Sequence, residues 1–152
     1  MVLAADANIE VQGANGRRLI KVTDFFIGLF STSLQENEII TAIRIPVPAD
    51  GTHSTYQKFP QPASRFALAG CAVMRFANGK TNIAFTGVSD NAFRDADAEA
   101  VVSGKTLTGD TIAAAVDAAL QGITILSDHY ASEDYRRHLA KVYLKKALMA
   151  VA

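Results

Sequence analysis

Cysteine is nearly missing from this chain of 152 residues: Cys71 stands alone. A lone cysteine cannot close an internal disulfide, which argues against a stapled secreted scaffold. Its flanks, Phe66 to Met74, are apolar, so the expected thiol is buried and structural, not reactive. Net charge is missing as well. Lys plus Arg number 15 and Asp plus Glu number 15. A general attraction to nucleic acid or to an anionic membrane needs a basic excess that this balance does not supply. No apolar run reaches the roughly 18 residues of a membrane span. No basic segment precedes Val2-Leu3-Ala4-Ala5, so a secretion signal is not expected, and the cytoplasm is the expected compartment.

The usual signatures of catalysis are missing too. Gly13 and Gly16 stand in neither a GxGxxG nor a GxxxxGK[ST] frame, so no phosphate loop is written into the chain. His53, His129 and His138 have no Cys or His at metal-ligand spacing. There is no GxSxG elbow and no CxxC. Asp128-His129 lies in a polar stretch where a loop or capping role outweighs a catalytic pair.

What is present is a good set of structural signals. Hydrophobic residues form 49% of the chain, enough for one compact domain or two small layers sharing a core. Ile9 to Gln12 alternates like a strand, Asn15-Gly16 is a turn, and Arg17 to Val22 is the return strand. Asp24-Phe25-Phe26-Ile27-Gly28-Leu29-Phe30 is expected as a short helix capped by Thr23 or Asp24, although Gly28 opposes it. A turn over Leu34 to Asn37 leads to a β-branched strand, Glu38 to Ile45, ended by Pro46 and Pro48. Ala49-Asp50-Gly51 is the clearest linker. Strands are expected over Thr52 to Phe59, Arg65 to Phe76 and Thr81 to Val88, the last two joined by Asn78-Gly79. Asp95 to Val102, stopped by Gly104, and Asp110 to Leu120, capped by Asp110 and stopped by Gly122, are expected helices. Strands followed by helices give an α+β fold: an antiparallel sheet of three to four strands packed on one side by helices.

The last helix is the most distinctive segment. Ser132 caps it, and Glu133 and Asp134 suit its positive end. Leu139, Val142, Tyr143, Ala147 and Tyr135 make the expected apolar stripe, with Arg136, Arg137, Lys141, Lys145 and Lys146 on the polar side. That polar side reads either as a solvated face or as a docking surface for a partner subunit or an anionic cofactor edge. Lys58, at a strand end before the Pro60–Pro62 stretch, is either a solvent-facing lysine or a cation that hydrogen-bonds an electron-rich carbonyl and stabilises an anionic reduced ring. Arg65 either pairs with an acidic partner or flanks its strand.

Several blocks in order carry a family resemblance. They are Gly16-Arg17-Arg18 before Asp24-Phe25-Phe26, Leu34 with Glu38-Ile39-Ile40 leading to Ile45-Pro46, Tyr56 to Phe59, Ala63 to Ala67, Glu99 with Gly104-Lys105, and Tyr135-Arg136-Arg137-His138-Leu139. From about Ala5 to Ala150 the chain resembles the FAD-binding medium subunit of molybdenum hydroxylases. The aerobic carbon monoxide dehydrogenase medium chain is the nearer type, and the xanthine dehydrogenase flavin domain the more distant. The resemblance implies that residues 1–48 are the C-terminal remnant of an FAD-binding domain and residues 52–152 a flavoprotein C-terminal domain. It implies FAD as cofactor, with a molybdenum-cofactor large subunit and a [2Fe-2S] small subunit as partners in electron transfer to an external acceptor. It implies Lys58 at the flavin carbonyl edge and Ile40 against the ring. The Gly-rich loops that hold the FAD pyrophosphate in this family, and a Ser-Pro/Gly-Asp block upstream of Ala4-Ala5, have no counterpart here. The expectation is therefore a fragment or split subunit that does not bind FAD tightly by itself and is inactive without its missing N-terminal half. A stand-alone structural or interaction module, and an unrelated small α+β protein, are the competing readings.

Overall fold

The computed structural model describes all 152 residues. Nine strands, a single 3-10 turn and three helices follow one another along the chain. The first sheet has the order β2-β1-β5, from β1 (Asn8–Gly13), β2 (Gly16–Lys21) and β5 (Ile39–Arg44). The second has the order β6-β7-β8-β9, from β6 (His53–Pro60), β7 (Ala67–Arg75), β8 (Thr81–Thr86) and β9 (Phe93–Arg94). Every pairing is antiparallel. The four-stranded sheet backed by helices agrees with the α+β expectation and removes the ground for an accidental resemblance.

β7 is buried along almost its whole length, which explains why its sequence does not alternate. Ala69, Cys71 and Val73 face the helices, with Ile83 and Phe85 of β8. Ala72 and Met74 face the other way, with Ala84, into a second core shared with Leu3, Ala4, Ile9, Val11, Ile20 and Phe25. Period-2 alternation thus sends one strand's side chains into two different cores. Cys71 is fully buried, and burial pushes its thiol far above the ordinary range.

The helices α1 (Ala96–Val102), α2 (Gly109–Ala118) and α3 (Glu133–Ala150) close the first of these cores. Ser132 caps α3 at the expected position by accepting from the Tyr135 N–H, and Asp95, expected as the first residue of α1, is instead its cap and accepts from the Ala98 N–H. No helix is long and apolar enough to cross a membrane.

Four expectations need correction. The segment Asp24 to Phe30 is not a helix: a 3-10 turn (Val22–Asp24) leads into β3 (Phe26–Gly28), which pairs with β4 (Ser31–Thr32). Seven residues gain little from helix propagation, and Phe26, Ile27 and Gly28 run half-buried, exposed, half-buried as a strand does. Helix α2 is capped by Thr108, whose hydroxyl accepts from the Thr111 N–H, and not by Asp110. It ends at Ala118, and the first left-handed residue after it is Leu120 at φ 67°, whose N–H bonds the Asp95 carboxylate; Gly122, also at φ 67°, continues the turn two residues later. Finally, the buried stripe of α3 is Arg136, Leu139, Ala140, Leu144, Ala147 and Leu148. Arg136 belongs to the core face, and Tyr135 and Val142 do not; Tyr135 instead meets Phe59 edge-to-face at 6.4 Å between ring centres.

Candidate functional site

Lys58 sits on β6 on the face turned away from the helices, directly opposite Gly70 of β7. Its ammonium donates to the Arg65 carbonyl at 2.9 Å. The acceptor belongs to a tightly tied loop. Gln61 Oε1 accepts from the Ser64 N–H and hydroxyl, and the Gln61 and Arg65 backbones are bonded within the same turn. Arg65 lies in the left-handed region at φ 61°, which delays the strand start to Ala67 and leaves Phe66 exposed. Tyr56 shares the Lys58 face, and its hydroxyl occupies the space where a side chain at residue 70 would begin; a Cβ there would come within 2.5 Å of it. Gly70 is therefore required by the close approach of Tyr56.

Ile40 lies on β5 opposite Val11, on the face that carries Ile9, Ile20 and Ile43. A bulge between Glu10 and Val11 leaves Thr41 unpaired in the ladder, and its hydroxyl turns back to Glu10. Ile9 and Val11 are in the core, whereas Ile40 and Ile43 extend the same apolar face into the open. Lys58 and Ile40 stand on different sheets, and no hydrogen bond or core cluster joins them.

A polar hollow of about 440 Å³ opens between the turn Gly13–Gly16 and the loop Gln35–Glu38. Its cations are engaged. Arg18 donates to both Glu38 oxygens at 2.6 and 2.7 Å and to the Ser33 carbonyl, while Arg17 donates to Gln12. The Arg18 hydrogen bonds, helped by the Gln35 N–H, pull the Glu38 carboxyl from its ordinary 4.5 to about 2. A depressed folded value contributes stability that is complete above pH 4.5 and disappears as pH falls toward 2. A carboxyl-resolved NMR titration is expected to find Glu38 titrating near that lower value, and Glu38→Gln should remove that part of the acid sensitivity. Titration of Glu38 at an ordinary carboxylate pH would mean that the Arg18 pair does not form in solution.

The cations of α3 are mostly folded onto their own domain. Arg137 donates to the Leu120 carbonyl and to Glu133, Lys141 reaches the Asp117 carbonyl at 3.5 Å, and Lys146 lies 4.8 Å over the Tyr143 ring. This favours a solvated, self-satisfied face over a bare docking patch. Asp128 accepts from the Tyr130 and Ala131 N–H groups and from Arg136, which fixes the loop before α3.

Two arginines hold the fold together, Arg136 on the core face of α3 and not on its polar side, and Arg94, for which the sequence gives no expectation. Arg136 is 3% exposed and donates to the Leu126, Leu68 and Gly87 carbonyls. Arg94 donates to Glu99, Asp6 and Asn82 and ties the first residues of the chain to the second sheet. The Arg136 signal was available, because it stands three and four residues before Leu139 and Ala140 on the buried stripe.

Residues 54–151 match the family model described as CO dehydrogenase flavoprotein C-terminal domain. Residues 1–48 match that of the FAD binding domain in molybdopterin dehydrogenase. The chain is 35% identical to the carbon monoxide dehydrogenase medium chain of Hydrogenophaga pseudoflava, over 97% of this chain and 53% of that protein. It is also 35% identical to the glyceraldehyde dehydrogenase medium chain of Sulfolobus acidocaldarius, over 100% of this chain and 55% of the relative. The solved carbon monoxide dehydrogenase from Hydrogenophaga pseudoflava superposes with a TM-score of 0.92 at 36% identity, covering 99% of this chain and 54% of that one. The chain thus spans about half the length of these relatives. With a match running through the four-stranded sheet and all three helices, the chain belongs to the CO dehydrogenase flavoprotein C-terminal domain family.

Proposed function

We propose that this chain is the part of a molybdenum-hydroxylase medium subunit that covers one side of the FAD ring system. In this reading residues 1–48 serve as the end of the FAD-binding domain and residues 52–152 as the flavoprotein C-terminal domain. Its partners are a molybdenum-cofactor large subunit and a [2Fe-2S] small subunit. The observation that carries the reading is the presentation of Lys58: an exposed ammonium on a sheet face, oriented by the Arg65 carbonyl of a tied loop.

The residues present fit the ring of FAD and not its diphosphate. The apolar face continued by Ile40 and Ile43 suits a flat aromatic ring and would exclude water from it. Lys58 would place positive charge and N–H donors at a carbonyl edge, where negative charge grows on reduction. The arginines of the polar hollow are held by Glu38 and Gln12 and so do not form a diphosphate cradle. FAD, when bound, supplies the electron-carrying chemistry; the contribution of this chain is to orient, to shield and to hold a cation at one edge.

Fluorescence titration of FAD tests this. The chain alone is expected to show no saturable quenching. Joined to the remaining portion of a medium subunit it should bind, and Lys58→Met should weaken binding roughly tenfold, the value of one charge-assisted hydrogen bond. Equal affinity for the folded Lys58→Met protein would remove Lys58 from the site. No binding by the joined wild-type protein would favour the alternative, a structural or interaction module without flavin, which the occupied arginines already support.

A further inference from the structure

We propose that Gln61, acting through the Ser64 hydroxyl, is the positioning residue for Lys58: together they aim the one backbone carbonyl that holds its ammonium. The inference rests on the flavin reading above for what Lys58 meets, but it concerns two residues to which that reading gives no part.

The Lys58 ammonium has a single protein partner, the Arg65 carbonyl oxygen at 2.9 Å. A lysine on a flexible four-carbon stem otherwise samples many rotamers. One bond fixes its direction and leaves two of its three N–H donors free for a ligand. The direction of the Arg65 carbonyl is not set by regular structure, because residues 61–66 lie between β6 and β7. Arg65 stays at φ 61°, which a non-glycine residue keeps only when its surroundings fix it.

The fixing bonds converge on Gln61. Its N–H donates to the Phe66 carbonyl and its own carbonyl accepts from the Arg65 N–H, both at 2.8 Å. Its side-chain Oε1 accepts from the Ser64 N–H at 2.6 Å and from the Ser64 hydroxyl at 3.0 Å. A backbone N–H is only a donor, so the Gln61 atom facing it must be the oxygen and not the amide nitrogen. The Ser64 hydroxyl then accepts from the Phe66 N–H at 3.3 Å. That last bond sets the aim. The Phe66 N–H and the Arg65 carbonyl belong to one planar trans peptide, so turning the N–H to Ser64 turns the carbonyl the opposite way, toward Lys58. Pro60 and Pro62 stiffen the backbone on either side of Gln61. A cation whose direction is already set loses less freedom when a carbonyl edge arrives.

Acetylation of lysines by acetic anhydride, read by mass spectrometry on the 152-residue chain, tests the relay without flavin. Lys21 and Lys145, both exposed, serve as references. Gln61→Met and Ser64→Ala should each raise the Lys58 rate about fivefold relative to them, the factor for one net hydrogen bond. Gln61→Glu keeps an acceptor of the same reach and should leave the rate near that of the wild type. An unchanged Lys58 rate in folded Gln61→Met and Ser64→Ala overturns the proposal. FAD binding by the joined medium subunit is the second readout. Gln61→Met should weaken it about fivefold and add nothing in the Lys58→Met background. An equal loss in both backgrounds also overturns the proposal, since the loop then acts without Lys58. If Lys58→Met leaves FAD binding unchanged while Gln61→Met still speeds Lys58 acetylation, the flavin reading falls and the relay stands.

Discussion

Replacing Arg136 by methionine is expected to destabilise the protein by about 3–5 kcal/mol, the cost of breaking a buried charged network by removing one member. The guanidinium spans three structural pieces. It donates to the Leu68 carbonyl at 2.6 Å and the Gly87 carbonyl at 2.8 Å, where β7 begins and β8 ends. It also donates to the Leu126 carbonyl and to Asp128 in the loop before α3. Methionine fills the volume but donates nothing, so three backbone acceptors lose their partner. Gly87 sits at φ 72°, and a Cβ there would strike the Ala67 carbonyl oxygen. Urea unfolding should read the loss directly, with the melting temperature falling by roughly 10 °C for a chain of this size. Arg136→Lys should recover part of it, since an ammonium is a compact donor without the planar fork. Asp128→Asn should cost far less, because that carboxylate is 41% exposed and its attraction is screened. A methionine variant within 1 kcal/mol of the wild type would show that water replaces the guanidinium.

The difference between what the sequence told and what it hid follows from the range of the forces involved. Turns at Asn15-Gly16 and Asn78-Gly79, the strand flanking each, and the Ser132 cap were legible because they depend on residues a few positions apart. The Asp24–Phe30 segment misled because local propensity ignored the pairing of β3 with β4, which a seven-residue window cannot see. The cap of α2 was misplaced by two residues because Asp110 and Thr108 are both good caps and only the fold chooses between them. Leu120 turns left-handed before Gly122 does, and Asp95, 25 residues earlier, holds its N–H. Arg136 was read as polar because its charge hid its place on the stripe. Lys58 could be placed on a strand end, but its bond to the Arg65 carbonyl comes from the tied loop and left-handed turn, which no pattern announces.

The second large effect concerns the seam between the first residues of the chain and the second sheet. Arg94 grips Glu99 with two hydrogen bonds of 2.6 Å and reaches both Asp6 and Asn82. Asn82 in turn donates to the Ala4 carbonyl at 2.8 Å, and Lys80 donates to Asp6. These contacts hold Met1–Ala7 on the sheet face where Ala72, Met74 and Ala84 meet Leu3, Ala4 and Phe25. Asp6 is itself at φ 50°, a conformation that a non-glycine residue keeps only when its surroundings fix it. Arg94→Met is therefore expected to loosen this segment by about 3 kcal/mol. Amides of β1 would then exchange on the order of 100-fold faster, while those of Ile83 and Phe85, facing the helix core, keep most of their protection. The same seam should open first in acid. For Asp6, burial alone would raise the carboxyl, but the hydrogen bond from Lys80, the neighbouring Asn82 amide and the Arg94 charge outweigh it and hold the group below its ordinary 3.8. Its contribution is complete above that value and is lost as pH falls through the lower folded one. Exchange measured at falling pH should find β1 yielding before β7, and Asp6→Asn should level the two. If β1 and β7 open together in Arg94→Met, the two cores unfold as one unit and the apolar contacts across Ala72 and Ala84, not the ionic seam, set the coupling.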